Sequence, residues 1–139
     1  MIDRVLVPMD DSEMAKEALR YALDVFPDAE ITVLHVVGEP STMMGSAVGL
    51  ALADNIEDTA EEYARDIFDD AAAIAEEYET EITTVVRLGH PTRAILNEAA
   101  EFDTIVMGTH GGTLADRLLV GNVVERVFQR SPVPVVGVR

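Results

Sequence analysis

The feature that most restricts this chain is an alternation. Short runs rich in apolar residues follow one another along the sequence, and between them apolar residues recur at helical spacing. The runs are Arg4–Pro8, Ile31–Val37, Ile82–Leu88, Thr104–Met107 and Ser131–Val138. A strand with one wet face alternates apolar and polar residues. A strand covered on both faces does not, and that is the mark of a parallel sheet lined by helices. The intervening stripes are carried by Ala15, Leu19 and Leu23, by Ile67, Ala71 and Ile74, by Ile95 and Ala99, and by Val123, Val124 and Val127. Ser12 suits the cap of the first helix, with Glu13 in its first turn. Pro91 suits the first position of the third helix, with His90 as its cap. No hairpin signal joins any two runs, and parallel strands need helical crossovers. The expected fold is a single doubly wound α/β domain: a five-stranded parallel sheet with helices on both faces. Pro132 and Pro134 belong at an edge or a strand start, not in a central strand.

In such sheets ligands bind beyond the carboxyl ends of the strands, where the winding reverses. Asp10 follows the first run and Gly108 ends the fourth. From Asp103 to Val124 the order is strand, glycine-rich loop, helix start: Gly108, Gly111, Gly112 and Gly121, then Asn122 ahead of Val123 and Val124. Glycine lets backbone N–H groups converge on a guest, and a helix start adds unpaired N–H groups and a positive dipole end. The combination makes a phosphate site that needs no lysine. Gly38 to Leu50, with Met43 and Met44, reads as a surface loop or as a flap over that site.

Charge excludes whole classes of partner. Against 26 acids there are 10 bases, a net charge of −16, and Lys16 is the only lysine. Nucleic acid calls for a basic face, and an anionic membrane surface repels such a chain. Acids without lysines point to adaptation to high salt, where ions screen the self-repulsion. Nothing approaches the ~20 apolar residues of a membrane span, and Met1 leads straight into a strand with no secretory leader. With no cysteine and no such segment, the expected location is the cytoplasm.

Several chemistries lack their signatures. There is no GxxxxGKS/T, no GxSxG, no HExxH, no cysteine nucleophile and no GxGxxG after the first run. No catalytic residue and no dedicated metal ligand is assigned. Asp10, Asp11 and Asp116 read as acidic surface, with Asp10 also able to meet a ligand. His110 reads as a solvated loop residue and His35 as a satisfied residue of a buried strand. Asp10 reads equally well as an N-cap together with Ser12 and as a ligand-binding carboxylate.

These motifs together resemble the universal stress protein family. Gly108-x2-Gly111-x9-Gly121 is similar to its nucleotide loop, and VLVPMDDSE to its first strand and turn. Leu34-His35-Val36, Gly89-His90-Pro91 and Ser131-Pro132-Val133-Pro134-Val135-Val136 resemble its other strand ends, in order and across nearly the whole chain. The resemblance implies strand order 3-2-1-4-5 and a homodimer formed through the last strand, Val133 to Val138. Its ATP-binding branch implies that Pro8, Met9 and Asp10 lie near adenine and ribose, with Val36 against adenine. It further implies that Met107, Gly108 and Gly111 form the phosphate loop, and that Gly121, Asn122, Val123 and Val124 form the helix start. The ligand would be ATP, ADP or AMP, which Mg²⁺ can accompany. Asn122 stands where that branch has serine or threonine; it keeps an amide donor and lacks the small hydroxyl. Asp11 stands where glycine is common. The function so implied is a nucleotide-dependent binding module of the stress response. The alternatives are a slow ATPase using His110 or Asp10, and a nucleotide-free dimeric scaffold.

Overall fold

The computed structural model describes residues 1–38, 56–109 and 123–139. The strands are β1 (Arg4–Pro8), β2 (Glu30–Val37), β3 (Thr83–Leu88), β4 (Thr104–Gly108) and β5 (Val135–Val138). The helices are α1 (Glu13–Val25), α2 (Ile56–Glu77), α3 (Pro91–Ala99) and α4 (123–130). All pairings are parallel, and the sheet runs β3-β2-β1-β4-β5. The chain winds outward from β1 through β2 to β3, then returns past β1 to β4 and β5. The reversal lies between β1 and β4.

Burial follows from that order. β1 is central, and its Val5, Leu6 and Val7 are shut off from solvent. Successive side chains point to opposite faces. Val5 and Val7 join Ile31, Val33 and Val106 under α1 and α2. Leu6 joins Leu34, Ile105 and Met107 under α3 and α4. Each such side chain contributes about 1.5–3 kcal/mol when fully buried. The apolar-rich runs are thus the residues that meet helices on both faces. β3 sits at one edge, where Thr83, Thr84, Arg87 and Leu88 are exposed.

The last strand is shorter than its apolar run. Residues 131–134 precede it as a turn in which the Ser131 hydroxyl donates to the Val133 carbonyl (2.6 Å) and accepts from the Val133 N–H (3.1 Å). Pro132 and Pro134 have no N–H to offer a ladder. The Pro134 carbonyl still accepts from the N–H of Ile105 (3.0 Å) and the hydroxyl of Thr104 (2.8 Å), so the approach to β5 is tethered before the strand begins.

The amino end of the sheet is closed by a separate clamp. One carboxylate oxygen of Asp103 accepts from the N–H groups of Asp3 (2.8 Å) and Arg4 (3.0 Å). Those two amides, chiefly that of Asp3, hold the Asp103 carboxyl below its ordinary range, helped by the nearby amino terminus and the Arg4 charge. Arg4 lies 4.9 Å over the Phe102 ring and donates to the Glu101 carbonyl. At the end of α2, Thr80 N–H reaches back to the Ala75 carbonyl (3.1 Å) while Glu79 takes a left-handed φ of 54°. That is a Schellman ending with glutamate where glycine is usual. No helix among the described residues is long and apolar enough to cross a membrane.

Candidate functional site

The site begins where β1 leaves the sheet. Met9 N–H donates to the Leu34 carbonyl at 2.8 Å, which continues the β1–β2 pairing beyond Pro8. The chain then turns into α1. Asp10 Oδ1 accepts from the Ser12 N–H (2.9 Å), and Ser12 Oγ accepts from the Ala15 N–H (3.1 Å). Ser12 is therefore the cap of α1, as its sequence position predicts, and Asp10 braces the turn that presents it. His90 occupies the cap position of α3 with Pro91 following, but its side chain makes no capping bond.

At the matching end of β4, Gly108 lies against the first turn of α1. A Cβ there would sit 2.8 Å from both the carbonyl carbon and the oxygen of Met14. Only glycine allows β4 and α1 to meet so closely. A cavity of about 210 Å³ opens between these two strand ends, the end of β2 and the first turns of α3 and α4. Its walls are largely apolar, from Pro8, Leu34, Val36, Ile95, Met107 and Val123 among others. Among the described residues the polar side chains on them are Asp10, Ser12 and His35. His35 Nδ1 lies 2.8 Å from the Met9 carbonyl. A carbonyl only accepts, so Nδ1 carries the proton in that contact.

Seven of the expected site residues share this cavity: Pro8, Met9, Asp10, Val36, Met107, Gly108 and Val123. Val124 is buried, its side chain packed in the core beside Val127. Gly111, Gly121 and Asn122 lie outside the described residues, as do His110, Gly112, Asp116 and 39–50 of the long loop. Among the described residues no cluster of three or more His, Asp or Glu side chains is placed to hold a metal ion. Gly108, expected as part of a phosphate loop, also answers a packing demand from Met14.

Reading the sequence alone missed several wall residues. His35 reads there as a satisfied core residue. It is hydrogen-bonded, but half-buried and on the cavity wall. Pro91 and Ile95 carry only the signals of a helix start and a helical stripe. What makes them wall residues is the crossover that sets α3 beside β2.

A five-stranded parallel sheet with its cavity at the winding reversal marks the chain as a doubly wound α/β protein of the kind that takes small molecules at strand ends. The sequence matches the universal stress protein family across residues 1–139. The chain belongs to that family. It is 30% identical over 143 residues to the universal stress protein MJ0531 of Methanocaldococcus jannaschii, covering 98% of this chain and 81% of the relative. The solved structure of universal stress protein UspA from Lactobacillus plantarum superposes with a TM-score of 0.80 at 25% identity, covering 99% of this chain and 98% of that one. A universal stress protein solved in complex with cAMP superposes with a TM-score of 0.72 at 25% identity, covering 99% and 97%.

Proposed function

We propose that this chain is a nucleotide-dependent binding module of the stress response, and that its cavity takes an adenine nucleotide: ATP, ADP or AMP. The observation that carries the reading is the convergence of Pro8, Met9, Asp10, Val36, Met107, Gly108 and Val123 on one hollow. They come from three strand ends and a helix start that are far apart in sequence. The fit is chemical as well as spatial. Largely apolar walls suit a flat base, and a carboxylate with an oxygen to spare suits the hydroxyls of a ribose. In this reading Pro8 and Val36 flank the adenine and Asp10 meets the ribose. Met107, Gly108 and Gly111 begin the phosphate loop, and Gly121, Asn122, Val123 and Val124 close it. Mg²⁺ accompanies the phosphates as a hydrated companion of the ligand. The cAMP complex of a relative supports the adenine class. The open edge of β5 pairs with a second copy through Val133 to Val138, giving a homodimer.

Isothermal titration of the purified chain with ATP, ADP, AMP and cAMP tests the reading. One adenine nucleotide per chain is expected, with affinity reduced at least about tenfold by Asp10→Ala, the loss of a charge-assisted hydrogen bond. Absence of saturable binding of all of these nucleotides at millimolar concentration would refute it.

A further inference from the structure

Met9 is the residue at which β1 stops behaving as a ladder strand. Its N–H donates to Leu34, as a parallel pairing requires. In a continuing ladder its carbonyl would accept from the amide two residues further along β2, that of Val36. Instead it accepts from the His35 ring, Nδ1 to oxygen at 2.8 Å. The imidazole stands where the next rung would be.

That substitution reaches the ligand side of the site in three steps. The held carbonyl belongs to the Met9–Asp10 peptide, which is planar. Fixing the carbonyl therefore fixes the Asp10 amide and the Cα from which the Asp10 side chain leaves the backbone. Asp10 then commits Oδ1 to the Ser12 N–H at 2.9 Å. Its second oxygen has no partner among the described residues, and the residue lines the cavity. The carboxylate is thus braced at its stem from β2 and at one oxygen from α1, with the other oxygen left for a guest.

We propose that His35 is the positioning residue that aims the Asp10 carboxylate, and that it thereby sets the site's preference for a ribose over a deoxyribose nucleotide. The proposal rests on the adenine-nucleotide reading and adds to it a residue from a neighbouring strand. A histidine that merely filled space at the end of β2 would leave ribose selectivity untouched when replaced by another side chain of similar volume. A histidine that aims Asp10 would not, because one degree of freedom at the Met9 carbonyl becomes a misplaced oxygen in the cavity.

The test uses substitutions that separate the two ring nitrogens. In His35→Asn the side-chain amide nitrogen falls near the position of Nδ1 and can still donate to Met9. In His35→Gln it falls near Nε2 and cannot. Calorimetric titration with ATP, 2′-deoxy-ATP and 3′-deoxy-ATP should give the wild-type chain a preference of about tenfold for ATP over at least one deoxy analogue, the size of a charge-assisted bond. His35→Ala and His35→Gln should cut that preference to about twofold or less, and His35→Asn should keep it within about threefold of wild type. Asp10→Ala should abolish the preference, and adding His35→Ala to it should change nothing more, since residues acting through one another are not additive. If His35→Ala does not fold, the Asn and Gln variants carry the comparison. Wild type that binds ATP with no ribose preference, a preference that survives His35→Gln, or full additivity with Asp10→Ala would each overturn the proposal alone. Wild type that binds no ATP would overturn the proposal, and wild type that binds none of ATP, ADP and AMP would overturn the nucleotide reading along with it.

Discussion

Replacing Gly108 by alanine adds one methyl group at the tightest contact of the site. The new carbon would stand 2.8 Å from two backbone atoms of Met14 and 3.0 Å from its Cβ, where ordinary contact begins at 3.4 Å. The gap to be opened is therefore 0.6 Å, the difference between those two distances. Met14 cannot rotate out of the way, because the atoms involved are main chain in the first turn of α1. Either the end of β4 or α1 itself must shift. α1 is anchored by Ala15, Ala18, Leu19, Ala22 and Leu23, all buried. Close-packed contacts of that kind fall off within half an ångström, and overpacking costs about 1–3 kcal/mol. Opposing this, alanine narrows the unfolded ensemble and returns about 0.4–1 kcal/mol. Gly108 has no left-handed φ, so backbone strain adds nothing. The net loss is about 1–2 kcal/mol, or roughly 3–10 °C in Tm for a chain of this size. Ser12 and Ala15, which also line the cavity, move with Met14, so ATP affinity should fall as well. The control is Gly38→Ala, where an added Cβ meets nothing within 4 Å among the described residues and φ is again ordinary. That variant should melt at or slightly above wild type. Calorimetric melts of the pair decide the matter: a Gly108→Ala protein as stable as Gly38→Ala would refute the packing argument.

Four further outcomes can be checked in the same way. Glu79→Gly relieves the left-handed φ at the end of α2 and should raise stability by up to about 1 kcal/mol in urea titrations. Thr92→Val removes a buried hydroxyl that has no hydrogen-bond partner among the described residues, keeps its shape, and should be neutral or stabilising by up to about 1 kcal/mol in thermal melts. Asp103 has its carboxyl held below the ordinary range, so its contribution is present above the unfolded value of about 3.9 and is lost as pH falls through the lower folded value. Asp103→Asn should therefore lower the urea midpoint at pH 6 and show a smaller difference from wild type near pH 2. Finally, ATP is an anion approaching a chain of net charge −16. Raising KCl to ~1 M shortens the Debye length to about 3 Å, so affinity should rise with salt in titrations; a steady fall would contradict the charge argument.

The fold was readable because every internal strand is buried on both faces, which makes its apolar run continuous and leaves the helical stripes as the only periodic signal between. Strand order was not readable from that pattern. It came with the family resemblance, since nothing in Val5 or Ile105 says that they will be neighbours. The start of β5 was misjudged because apolar content continues through Val133 while the donors that a ladder needs do not. At the cavity, Asp10 and Gly108 were legible by position at strand ends, while Pro8, Val36 and Met107 came with the family resemblance. His35, Pro91 and Ile95 were not legible, since each carries a local signal identical to that of a core or cap residue.

Gly108 shows how far such legibility reaches. Its sequence context, a strand end ahead of more glycines, points to a phosphate approach. Its surroundings impose an independent requirement, the Met14 backbone at a distance no side chain allows. The two demands differ in kind: one concerns the proposed ligand, the other the seat of α1. A glycine at this position is therefore compatible with a chain that binds nucleotide and with one that merely packs this way, and its presence alone does not distinguish them. Asp10 is a better discriminator. Its bond to the Ser12 N–H uses one oxygen and leaves the other on the cavity wall, and asparagine in its place would keep the brace through its side-chain carbonyl. Asp10→Asn should accordingly leave the melting temperature near that of wild type while lowering ATP affinity several-fold. Equal losses in both measurements would assign Asp10 to the fold and not to the ligand.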